Sequence, residues 1–169
     1  MIDTHAGRNY ERKKGGKSSM PTALLDTGVW FGYFHTNDLF HHDANALVNE
    51  LIVGGKTILL SEVERFELQN VLTHELLNHE KVRQINSELR GMSPHVEIRY
   101  TEIKFWDEIL PANFPRLFLK SMDFIVASCA LYWEVDKFYS FDEKLNKALR
   151  RIKPDIVKLK IKQSRVIRL

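Results

Sequence analysis

The chain has 169 residues, 44% of them hydrophobic and 28% charged, the composition of an ordinary soluble domain, and its length suits one real core better than two. No apolar run approaches the roughly 20 residues of a membrane span, and the N-terminal stretch lacks the apolar segment of a signal peptide. The net charge of +3 hides a segregation: residues 1–20 carry +3, residues 21–149 carry −7 and residues 150–169 carry +7. An acidic body binds nucleic acid poorly unless cations or a basic rim offset its field, and the basic tail is either such a rim or a solvated terminal strand.

Residues 1–19 are polar, glycine-containing and without hydrophobic period, and read as a disordered leader or tag outside the fold. Residues 20–169 read as a single domain ending in a basic strand or tail. "TALLD" is a short strand, apolar on both faces and therefore central, closing at Asp26. Helical segments run through "LFHHDANALVNELIVGG" to the stop at Gly54 and Gly55, and "KTILLS" is a second strand. The helices "EVERFELQNVLTHELLNH" and "EKVRQINSELRG" follow, then a strand-like "HVEIRY", a helical "TEIKFWDEIL" and a breaker in "PANFPR". The helix "SMDFIVASCALYW", the strand "KFYSF", an amphipathic helix after Asp142 and a β-like "DIVKLKI" complete the order. Alternating strands and helices predict a three-layer α/β/α fold with a central, mainly parallel sheet. The single cysteine, Cys129, lies in an apolar run, which fits a buried structural thiol and a reducing cytoplasm.

In parallel sheets, sites form outside the carboxyl ends of strands where the topology reverses, and that rule selects four acids by position. Asp26 ends the first strand, where it is either a cap or turn residue or faces the site. Ser61 and Glu64 have capping-box spacing, which gives Glu64 a structural task. Glu67 lies one turn further, on the stripe of Val63 and Val71 that should face the sheet, where an unpaired carboxylate is costly; the rival reading is a glutamate at the edge of that stripe reaching solvent. Asp123 opens the apolar face of Val126, Ala127, Ala130 and Leu131, on a helix whose N-terminal end should be buried. Asp142 joins a strand to a helix, where one carboxylate caps but several converging ones bind a cation. Four carboxylates at one sheet edge repel one another and either hold protons or bind a divalent metal; oxygen-only donors suit Mg2+ or Mn2+. Such a site supports attack of a metal-activated water on a phosphodiester.

Other constellations fail on spacing. His74 and His79 are five apart, not the four that places two zinc ligands on one helical face, and there is neither a nucleophile elbow nor a P-loop.

"LLDTGVW", "LLSEVERFEL", "SMDFIVASCAL" and "YSFDEKL", in that order, resemble the PIN domain family (PilT N-terminus) from Thr22 to about Leu159. The resemblance implies a parallel sheet between helices, an Mg2+- or Mn2+-dependent endoribonuclease and often a VapC-like toxin neutralised by a small antitoxin. It also implies a homodimer. The family's acids map to Asp26, Glu67, Asp123 and Asp142, and its small hydroxyl residue before the last aspartate maps to Ser140. A further acid common in the family is missing: Glu143 is adjacent and Asn146 stands further on. The expected substrate is single-stranded or looped RNA, with Arg150, Arg151, Lys158 and Lys160 as phosphate contacts. The alternative is an inactive module on the same scaffold that binds RNA or a protein partner.

Overall fold

The computed structural model describes residues 20–119 and 121–157. Among the described residues four strands, β1 (Thr22–Leu25), β2 (Thr57–Ser61), β3 (Val96–Arg99) and β4 (Lys137–Tyr139), form one parallel sheet in the order β3-β2-β1-β4. The helices are α1 (Thr27–Phe34), α2 (His41–Val53), α3 (Glu62–Leu76), α4 (His79–Gly91), α5 (Leu110–Leu117), α6 (Ser121–Tyr132) and α7 (Glu143–Ile152).

Side-chain alternation along the central strands divides the core into two layers. Ala23, Leu25, Ile58 and Leu60 pack with Val29, Trp30, Val48, Leu68 and Leu89 of α1 to α4. Leu24, Leu59 and Phe138 face the other way, toward Leu117, Val126, Ala130, Leu145 and Leu149 of α5 to α7. The sheet is thus covered by helices on both faces, the expected three-layer arrangement.

Local chemistry sets the boundaries. Gly54 and Gly55, the latter at φ +65°, stop α2 before β2. Leu77 at φ +47° breaks the long helical run, and the Asn78 side chain accepts the N–H groups of Glu80 and Lys81 to start α4.

The segment "PANFPR" is not a breaker. A π-helical turn, Phe105–Ile109, buries Phe105 and leads directly into α5. Pro111 falls in the first turn of α5, directly after the π-helical turn, and Pro115 lies inside α5, which closes soon after at Leu117. Of the last predicted strand, Asp155 and Ile156 form a turn and bend in which the Ile156 carbonyl accepts the Phe138 N–H at 2.7 Å, Val157 pairs in parallel with Phe138, and residues 158–161 lie outside the described residues, as do the leader and the proposed contacts Lys158 and Lys160.

The topology reverses at β1. The chain leaves β1 toward α1 on one face and β2 on one side, whereas β4 lies on the other side of β1 and leads to α7 on the opposite face. The carboxyl ends of β1 and β4 therefore flank the crevice where such folds place their sites.

Candidate active site

Asp26 follows the last residue of β1, and its N–H donates to the Tyr139 carbonyl at 2.9 Å, extending the pairing with β4 by one residue. It occupies the N-cap position of α1 but its side chain makes no capping bond. Instead its Oδ2 accepts the Ser140 hydroxyl at 2.7 Å, and the Ser140 Oγ accepts the Asp142 N–H at 2.9 Å. One buried hydroxyl thus ties the ends of two adjacent strands together.

Asp142 does cap α7. Its Oδ1 accepts the N–H groups of Lys144 at 2.6 Å and Leu145 at 3.0 Å, so the cap engages one carboxylate oxygen. Capping and ligation are therefore compatible at this residue. One turn on, Asn146 is buried and donates from Nδ2 to the Ser140 carbonyl at 2.8 Å, while its Oδ1 has no partner.

On α3 the capping box forms as predicted: Ser61 Oγ accepts the Glu64 N–H at 3.0 Å, and Glu64 Oε2 accepts the Ser61 N–H at 2.9 Å. The stripe facing the sheet is Glu64, Leu68 and Leu72, not that of Glu67; Val63 and Val71 are half-buried. Glu67 stands at the edge of the buried face, because each residue turns a helix by about 100° and it is Leu68, the next one, that points to the core. Its Oε2 accepts the Thr27 hydroxyl at 2.6 Å.

Asp123 lies in the first turn of α6, half-buried; full burial of that helix begins at Val126, so its N-terminal end is more open than expected. Asp123 and Asp142 line one cleft of about 470 Å³.

Electrostatics links these acids. Desolvation pushes Asp26 up to about 6 against the opposing Ser140 hydrogen bond, and Asp123 and Glu67 raise it further. Burial comes first for Asp123 as well, followed by the charges of Asp142 and Glu67. Glu64 is driven well above the usual carboxylate range by burial, with smaller contributions from Asp26 and Glu67 that oppose its Ser61 bonds. Asp26 as a residue is half-exposed, but its carboxyl is turned inward onto buried Ser140, which is why desolvation dominates.

Among the described residues, no three acidic, histidine or cysteine side chains are gathered as a ready metal cage. The fit to a metal rests on donor chemistry: hard oxygens of mutually repelling carboxylates, whose repulsion a hard divalent cation offsets. Sequence reasoning missed Thr27 and the structural use of Asn146. The first had a signal in the hydroxyl directly after Asp26; the second had none, since nothing in the spacing says which backbone carbonyl the amide reaches.

The sequence profile of the PIN domain family matches residues 23–150. No curated protein sequence matches the chain. Its fold is similar to that of VapC20 from Mycobacterium tuberculosis, a toxin that cleaves the sarcin–ricin loop, with a TM-score of 0.60 and 14% identity over 75% of this chain and 94% of that one. It is also similar to VapBC2 from Rickettsia felis, solved bound to a promoter DNA fragment, with a TM-score of 0.52 and 19% identity over 81% of this chain and 97% of that one. With most of the chain matched by the profile and the same fold in both structures, the protein belongs to the PIN domain family.

Proposed function

We propose that this protein is a divalent-metal-dependent endoribonuclease, acting as the toxin of a VapBC-type pair. One observation carries the reading. Acids from four separate places in the chain lie near one another: burial raises Asp26 and Asp123, and the charges of Asp123 and Glu67 add to this at Asp26, those of Asp142 and Glu67 at Asp123. Family membership and the likeness to two VapC structures support it.

Asp26, Glu67, Asp123 and Asp142 would hold Mg2+ or Mn2+, which when bound activates the attacking water and offsets charge on the scissile phosphate and the leaving oxygen. The chain supplies the order. Ser140 fixes one oxygen of Asp26 and the backbone of Asp142 with a single hydroxyl, and Thr27 fixes one oxygen of Glu67. Outer partners of this kind orient a ligand and typically add about 10- to 100-fold in affinity or activity. The substrate is single-stranded or looped RNA, where base edges are accessible. A small antitoxin and a second copy of the chain are the expected partners in the cytoplasm; among the described residues no helix is long and apolar enough to cross a membrane.

The test is cleavage of a panel of looped RNAs with Mn2+, with EDTA, and with the Asp26→Asn and Asp142→Asn proteins. Cutting should need the metal, and each variant should lose more than about a hundredfold, beyond the cost of losing an outer partner. Folded variants that both keep cutting would overturn the metal assignment. Growth arrest on expression, relieved by a co-encoded partner, tests the toxin assignment.

A second reading, an inactive binding module, draws on the absence of a ready three-acid cage among the described residues and on neutral Asn146 in place of a further acid. Calorimetric titration with Mn2+ separates the two, since a module without a site gives no saturable heat.

A further inference from the structure

The cleft beside Asp123 and Asp142 has two unlike walls. One is α7, which presents Lys144, Lys147 and Arg151 to it at spacings of three and four residues, along a single helical face. At 1.5 Å per residue the row spans about 10.5 Å, the axial length of about three stacked nucleotides. All three residues are exposed, and none enters an ion pair among the described residues.

The other wall is the end of α5 and the two residues after it, Leu117, Phe118 and Leu119. Leu117 is core, but Phe118 is 78% exposed and adopts φ +51° at the end of α5. That left-handed position usually takes glycine, because a Cβ crowds the following carbonyl. Phe118 therefore combines backbone strain with an exposed apolar ring, and folding gains from neither.

We infer that this cleft is the path of a single RNA strand running from the carboxylates, with Lys144, Lys147 and Arg151 on its phosphates and Phe118 stacked on an unpaired base. The inference rests on the nuclease reading, since Asp123 and Asp142 at one end repel phosphate unless a cation lies between. A planar base uses the exposed ring, which the acidic side chains of a peptide, though they would satisfy the same cations, leave unused. A duplex is excluded by the same feature, because its base faces are already stacked.

The test is fluorescence anisotropy of the full chain with a single-stranded, fully 2′-O-methylated oligoribonucleotide, which resists cleavage, in Mg2+ over a range of KCl. Lys147→Ala/Arg151→Ala should flatten the slope of log K against log salt by about 1.4, or about 0.7 for each lost phosphate contact. Phe118→Leu should weaken binding about tenfold with the slope unchanged, and Phe118→Tyr should restore it. Phe118→Gly should weaken binding equally while melting no lower than wild type, which separates lost stacking from unfolding.

Binding that ignores both the cation pair and the ring overturns the inference, as does a wild-type protein that takes an acidic peptide in this cleft but no RNA. The readout needs no catalysis. Binding through this row by a protein that cuts no RNA would sustain the path and defeat the nuclease reading, and cleavage with binding indifferent to these variants would do the reverse.

Discussion

Asp26 stands where a helix cap is expected and does not cap, because its carboxyl is turned onto Ser140 instead. Removal from water, with the charges of Asp123 and Glu67 added, raises it from 3.8 to about 6. A carboxyl whose folded pKa exceeds its unfolded value favours the folded state fully below the unfolded pKa, and that advantage is lost as pH rises through the folded one. The metal-free protein should therefore carry an unfavourable charge above about pH 6. Asp26→Asn keeps a side-chain oxygen for Ser140 and removes the charge. In EDTA it should melt several degrees higher than wild type at pH 8, from roughly 1–3 kcal/mol, and only slightly higher at pH 4, close to the unfolded pKa. Scanning calorimetry at the two pH values checks this. A difference that is the same at both would mean that the carboxylate is solvated.

At the scale of elements, α3 shows how a structural device places a functional candidate. Its capping box uses Ser61 and Glu64, both fully buried, and Glu67 follows one turn later at the edge of the buried face. Ser61→Ala should cost about 1 kcal/mol, a fall of about 2–4 °C in Tm for a chain of this size, seen by thermal melting. RNA cleavage by that variant below its melting range should stay close to wild type if the box serves α3 and not the chemistry. This box was legible in the sequence because its signal is local, two side chains three residues apart. So were the parallel strands, whose apolar runs lie between helical periods, and the mapping of Asp26 and Asp142 to strand ends. The "PANFPR" segment was not, because its helix is set up by the preceding π-helical turn around buried Phe105, a tertiary feature that overrides the proline signal. The stripe on α3 was misread by one position because Glu64, a charged residue, occupies the buried face there. Periodicity counts apolar residues and cannot see a carboxylate taken inside by its own capping bond.

For the whole molecule, the central segment, residues 21–149, carries −7 and the C-terminal segment, residues 150–169, carries +7. With Asp123 and Asp142 lining the same cleft as Lys144, Lys147 and Arg151, the metal-free acids should repel a strand beside the place where the basic face of α7 would attract it. A divalent cation among those acids would reverse the local sign, so that cation and RNA each tighten the other's binding by the same factor. An ordinary counterion does the opposite, since added salt competes for phosphate and weakens binding. The two effects are separable in one experiment, in which the affinity for an uncleavable single strand is measured with and without millimolar Mg2+ at constant ionic strength. The wild-type protein should bind about tenfold more tightly in Mg2+, within the usual range of such couplings, and the strand should raise Mg2+ affinity by an equal factor. Asp26→Asn/Asp142→Asn should abolish the coupling and leave the ordinary weakening by salt. If Mg2+ weakens binding to the wild type as much as to the variant, the acidic edge is not where cation and strand meet, and the basic face of α7 acts without it.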